Sequence, residues 1–158
     1  MVKKHDVHEN YFQGVLQLRN PSDELLVYVF ESVDSAGDEV WISKEKKVKN
    51  GFDFYLSNNK FLRRIAEQLK NKFFGQTKVT ATLHTRDALR SKELFRVTVL
   101  FRLAPFKRGE IFPVRGSEMK VVNIGDKVTL KDLKTGKNRL IAYEDVEQDY
   151  YRYASTLE

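Results

Sequence analysis

Ala104-Pro105-Phe106-Lys107-Arg108-Gly109-Glu110-Ile111-Phe112-Pro113-Val114 leads into Arg115-Gly116, then into apolar runs at 119–124, 128–132 and 139–141, separated by Gly125-Asp126 and by Lys134-Thr135-Gly136-Lys137. Runs of about five apolar residues between turn-forming Gly and Asp are the pattern of short strands in a small all-β barrel. Val128 and Leu130 fall on one side of their strand and Lys127, Thr129 and Lys131 on the other, so one face is expected buried and the wet face basic. Gly125 and Gly136 stand where tight hairpins need positive φ, a conformation that costs a residue with a Cβ. A barrel this small encloses no substrate, so its chemistry is expected on its outer face and loops.

Working back from Pro105, Phe95, Val97, Val99, Phe101 and Leu103 alternate in a long strand over 94–103. Further strands are expected over 11–19, 40–44, 52–56 and 78–86, with a polar loop over 86–92. Asn20-Pro21 reads as the cap and first position of a helix that ends at Gly37, with Leu25, Leu26, Val29, Phe30 and Val33 as its core stripe. A second helix, capped by Ser57 or Asn58, carries Phe61, Leu62, Ile65, Leu69 and Phe73 inward and stops before Gly75. The order β-α-β-β-α-β-β over 11–103 gives an α+β domain with both helices on one face of the sheet. Phe52, Phe54, Phe95 and Phe101 are expected in its core, residues 1–10 as a disordered N-terminus, 104–143 as the barrel and 144–158 as an acidic, aromatic tail.

The 158 residues carry a net charge of +6, and its location says more than its size. Residues 44–72 hold nine basic side chains against three acidic ones, and 102–139 hold ten against four. Charge segregated in this way favours a polyanionic partner. With no cysteine, disulfides and thiolate metal sites are excluded, and no apolar run approaches the roughly 20 residues of a membrane span. A cytoplasmic protein with no cofactor, no membrane partner and no small-molecule substrate is expected.

No Gly-rich phosphate loop, no Ser or Cys beside a His base and no His/Asp/Glu ligand set is present in the sequence. His84 alternates onto the polar side of its strand, and Asp126 and Asp132 sit at turns where Asp bonds local backbone. An enzyme is not expected.

Three blocks in order then carry a resemblance: Tyr11-Phe12-Gln13-Gly14-Val15-Leu16-Gln17-Leu18-Arg19, Gly51-Phe52-Asp53-Phe54-Tyr55-Leu56-Ser57, and the run from Phe95-Arg96-Val97 through Ala104-Pro105-Phe106-Lys107-Arg108-Gly109-Glu110. Together they resemble the NMD-three family, whose eukaryotic members are export adaptors of the large ribosomal subunit and which has shorter archaeal relatives. The resemblance implies that the α+β part is similar to a large-subunit ribosomal protein. It also implies that the second part is similar to the first domain of translation factor five-A, an SH3-like barrel. Lys107-Arg108-Gly109-Glu110 and Lys134-Thr135-Gly136-Lys137 carry that second likeness. The factor bears a modified lysine on a long hairpin; Gly125-Asp126-Lys127 stands in its place, so no modification of Lys127 is implied. The family's Cys-rich zinc modules have no counterpart in these residues.

What the resemblance implies is a non-enzymatic protein that contacts ribosomal RNA of the large subunit during maturation or quality control. The candidate RNA-binding residues are Lys46, Lys47, Lys49, Arg63, Arg64 and Lys70 in the first domain. In the barrel they are Lys107, Arg108, Arg115, Lys131, Lys134, Lys137 and Arg139. Lys and Arg contact phosphate without reading sequence, and structured RNA is recognised largely by shape. The competing reading is a protein-interaction module whose barrel docks a ribosomal protein or an acidic partner.

Overall fold

The computed structural model describes residues 2–87 and 92–157. Its first half is a five-stranded sheet of β1 (Gly14–Arg19), β2 (Ile42–Val48), β3 (Gly51–Leu56), β4 (Gly75–Asp87) and β5 (Lys92–Leu103), in the order β2-β3-β1-β5-β4. Helices α1 (Asp23–Ser35) and α2 (Asn59–Lys72) connect β1 to β2 and β3 to β4. Neighbouring strands are antiparallel except β1 and β5, which run parallel with Gly14 opposite Val97 and Arg19 opposite Arg102. The α+β order read from the sequence is the observed one. Leu16, Leu18, Phe54, Leu56, Val97, Val99 and Phe101 of the strands bury against Leu25 and Val29 of α1 and Ile65 and Leu69 of α2. Both helices therefore cover one face of the sheet, and the alternate strand residues look out from the other.

Several boundaries move, each for a local reason. β1 begins at Gly14, not at Tyr11, because Gln13 is diverted: its backbone N–H donates to Leu56 O (2.8 Å) while its Oε1 accepts from Asn59 N (2.8 Å). The cap of α1 is Ser22, whose hydroxyl accepts from Leu25 N at 3.1 Å; Asn20 instead takes φ 53° in the bend before Pro21. Phe30, expected in the stripe, is 38% exposed. Asn58 caps α2, accepting from Phe61 N at 3.1 Å. The basic run from Lys44 is a hairpin arm: it forms most of edge strand β2, paired with β3 across the Lys49-Asn50 turn. Lysines on an edge strand also discourage edge-to-edge association. Strands β4 and β5 extend through Asp87 and from Lys92, into the ends of the polar loop expected over 86–92; 88–91 lie outside the described residues. Because β5 begins well before β1, the β4–β5 ribbon projects past the rest of the sheet. Phe95, expected in the core, is consequently 45% exposed beside Leu83 at 51%.

The second half is an antiparallel sheet of β6 (Ile111–Val114), β7 (Ser117–Ile124), β8 (Lys127–Asp132) and β9 (Asn138–Ala142), in that order. The expected SH3-like barrel does not close; four strands leave β6 and β9 as edges. Helix α3 (Tyr143–Ser155) lies where further closure would be needed. Residues 144–157, expected as a tail, belong to this helix and its C-terminal turn. Tyr143, Val146, Tyr150 and Tyr153 recur at helical spacing and pack on Phe106 and Phe112, with ring centroids 5.0 Å apart for Phe112–Tyr150 and 6.0 Å for Phe106–Tyr143. Gly136 has the expected positive φ (73°), whereas Gly125 does not; Arg115 (51°) and Gly116 (79°) turn the β6–β7 hairpin instead. Asp132 makes the expected local bonds, accepting from Lys134 N at 2.9 Å.

The halves meet at the start of β4. Buried Gln76 donates its Nε2 hydrogen to Asp126 O (2.9 Å), Thr77 N donates to Gly125 O (3.2 Å), and Phe74 stands edge-on to Phe106. The Arg102 guanidinium lies 5.6 Å from the Tyr143 ring.

Candidate nucleic-acid interface

The register of the second sheet sets its outer face. Met119, Val121, Val128 and Leu130 point inward and are buried, which leaves Lys120, Lys127, Thr129 and Lys131 outward. Lys120 and Lys131 are direct cross-strand partners, with Ile111 beyond Lys120 on β6 and Asn138 beyond Lys131 on β9. Among the described residues neither lysine has a carboxylate within ion-pair distance; the pairs formed in this half include Arg115–Asp145 (3.0 Å) and Arg139–Asp132 (3.9 Å). Like charges placed opposite each other in a sheet cost stability, about 0.2–1 kcal/mol. The arrangement suits an anion that lies across both.

All thirteen candidate residues are exposed, but they are not equivalent. Lys46 and Lys47 lie on β2 and Lys49 in its turn; Arg63 and Lys70, seven apart, share the outward side of α2. Arg64 is bound internally, its NH2 3.0 Å from Glu39 Oε1. Arg115 joins the β6–β7 turn to α3 through Asp145, and its backbone N–H donates to Asp149 Oδ2 at 2.9 Å. Arg108 lies over the Phe74 ring (5.3 Å) and donates to Asn123 Oδ1 (3.2 Å), at the junction of the halves. Arg139 leans on Asp132, whose carboxylate also holds the β8–β9 turn. Lys107, Lys131, Lys134 and Lys137 carry no carboxylate partner among the described residues, so their charge remains available to a ligand.

Two sets of residues escape the sequence reading. Lys127, placed on the wet face by alternation but not among the candidates, shares the outer face with Lys120 and Lys131, and only the β7–β8 register, with its irregularity between Val121 and Asn123, places Lys120 opposite Lys131. The helix-free face of the first sheet carries the second set. The Arg96 guanidinium stacks 3.8 Å from the Phe12 centroid, Phe12 meets Tyr55 edge-on at 4.9 Å, and Lys44 Nζ stands 5.4 Å from the Tyr55 ring. Strict alternation over β5, with Arg96 and Arg102 between the apolar residues, is the signal that could have found it.

The titration behaviour points to architecture. Burial pushes the Tyr143 phenol far above its ordinary value, and the Glu147 carboxylate adds to the shift. Tyr150 and Tyr151 are raised as well, again through burial first and then through Glu110 and Glu147 respectively. Among the described residues no three His, Asp or Glu are grouped to hold a metal, and no helix is long and apolar enough to cross a membrane.

No curated protein matches the chain. The family described as NMD3, second domain, matches residues 11–103, which take in the whole five-stranded sheet and both of its helices. That family is involved in the export and biogenesis of the large ribosomal subunit. The match covers more than half of the sequence, and the chain belongs to the NMD3 family.

Proposed function

We propose that this chain is a non-enzymatic ribosome-binding protein that lays its basic faces on large-subunit ribosomal RNA during subunit maturation or quality control. The opposed pair Lys120–Lys131 carries the reading. A sheet that sets two ammonium groups against each other, with no carboxylate to separate them, loses stability in isolation and recovers it on a phosphate backbone. Lys127, Lys134 and Lys137 extend this face and its adjoining turn, and Arg63, Lys70, Lys46, Lys47 and Lys49 provide the first sheet's contribution. Family membership supports the large subunit as the partner. The sequence likeness of 104–143 to the first domain of translation factor five-A supports placing the second sheet against RNA near the tRNA sites. Arg64, Arg115, Arg108 and Arg139 serve the fold first, given their internal partners.

Co-sedimentation with purified large subunits at one fixed salt concentration tests this. Replacing Lys120, Lys127 and Lys131 by Gln weakens binding at least tenfold with the fold intact. Unchanged sedimentation would remove the second sheet from the interface.

A further inference from the structure

Where β1 gives way to the diverted segment before Gly14, β5 continues with β4 as its only strand neighbour among the described residues, and a cleft of about 570 Å³ opens beside it, within the range that takes a small ligand. Phe95 and Leu94, adjacent on β5 and 45% and 46% exposed, present their side chains to opposite faces at the cleft's edge, and Tyr11, Phe12, Arg63, Arg96 and His84 also line it. No carboxylate is among the described residues that line it. Arg96 is held in place by its stack on Phe12, and its Nε finds no acceptor. Beside the lining residue Gln13, Gly14 admits no side chain, since a Cβ there would come within 2.5 Å of both Val97 O and Asn59 Oδ1.

We propose that this cleft receives a single unpaired nucleotide of RNA, its base against the Phe95 ring and its phosphate held by Arg63 and Arg96. The site rests on the RNA-binding reading above and adds to it a preference for RNA with an extruded base. Two observations favour a nucleotide over a protein strand added to the free edge of β5. The Asn59 Nδ2 hydrogen already occupies Phe95 O at 2.9 Å, blocking an acceptor that an added strand would need. The lining also combines ring faces with guanidinium groups, the pairing that binds single-stranded nucleic acid with little regard to sequence.

The experiment compares two RNA hairpins of the same stem, one fully paired and one with a single bulged uridine, by fluorescence anisotropy at fixed salt. The bulged RNA binds about tenfold tighter, the gain expected of one base–aromatic stack. Phe95→Ala removes that preference and leaves affinity for the paired stem unchanged, while Phe95→Tyr, which keeps the ring, retains it. Equal affinity of the unaltered protein for the two RNAs, or a preference that survives Phe95→Ala in a folded variant, overturns the proposal. Equal and tight binding sinks the cleft alone and leaves the RNA-binding reading standing. Failure to bind either RNA sinks both.

Discussion

Lys120 on β7 and Lys131 on β8 face each other directly across the outer surface of the second sheet. Their mutual repulsion makes a two-sided prediction. Lys131→Glu, which turns a like-charged pair into an opposite one, stabilises the isolated protein by about 0.2–1 kcal/mol. The same substitution weakens large-subunit binding by tenfold or more. Thermal melts and co-sedimentation read the two effects, and a variant that loses stability as well as binding would show that the pair is not strained in isolation.

Salt separates phosphate neutralisation from protein docking. If about six phosphates are engaged, affinity for ribosomal RNA falls on the order of a thousandfold between 50 and 200 mM salt, because each contact releases a counterion. Lys120→Gln/Lys131→Gln makes that dependence shallower by about two phosphate contacts. A nearly flat salt response would instead assign the basic faces to a protein partner.

Phe101 and Phe95 lie six residues apart on the same strand and face the same way, yet Phe101 is fully buried and Phe95 is half exposed. Phe101→Ala costs about 3–5 kcal/mol through lost transfer energy and an incompletely collapsed cavity. Phe95→Ala, with little packing to lose, stays within about 1 kcal/mol. Chemical denaturation of the two variants measures the contrast, and comparable losses would refute the position of the projecting ribbon.

Tyr143 predicts an alkaline limit. Its folded phenol is held above the ordinary value of about 10, so its contribution to stability is fully present below that pH. As pH rises further, the unfolded chain gives up the proton while the folded chain keeps it. Unfolding then releases a proton, and stability falls by at most about 1.4 kcal/mol per pH unit from this group. Tyr143→Phe makes the decline shallower between pH 10 and 12; Tyr150 and Tyr151, raised in the same direction, account for what remains. An unchanged slope in denaturation curves would exclude Tyr143 as the cause.

Arg115 and Lys134 are equally basic in sequence but differ in place. Arg115→Gln loses the contact to Asp145 and costs about 0.2–1 kcal/mol, the range of an exposed ion pair. Lys134→Gln leaves the melting temperature within a degree or two and acts on RNA binding alone. Equal thermal shifts would mean that the Asp145 contact does not fasten α3.

The sequence by itself determined the elements and the sign of the faces. Alternation along β5 and β8 and the 3.6-residue stripe of α2 required Phe101, Leu130, Ile65 and Leu69 to go inside, because burial follows period. The same periods left Lys131 and Arg63 outside, and the clustering of lysines along the chain is the ground for expecting a polyanionic partner. Tertiary structure decided which cations remain available. Arg64, Arg115 and Arg139 are exposed, but each has a carboxylate brought from at least seven residues away, a proximity that no local pattern encodes. Lys120 became a site residue only through the β7–β8 register, and Phe95 left the core only because β5 outruns β1. Register, relative strand length and long-range ion pairing are properties of the assembled sheets, and they set the difference between a basic sequence and a binding face.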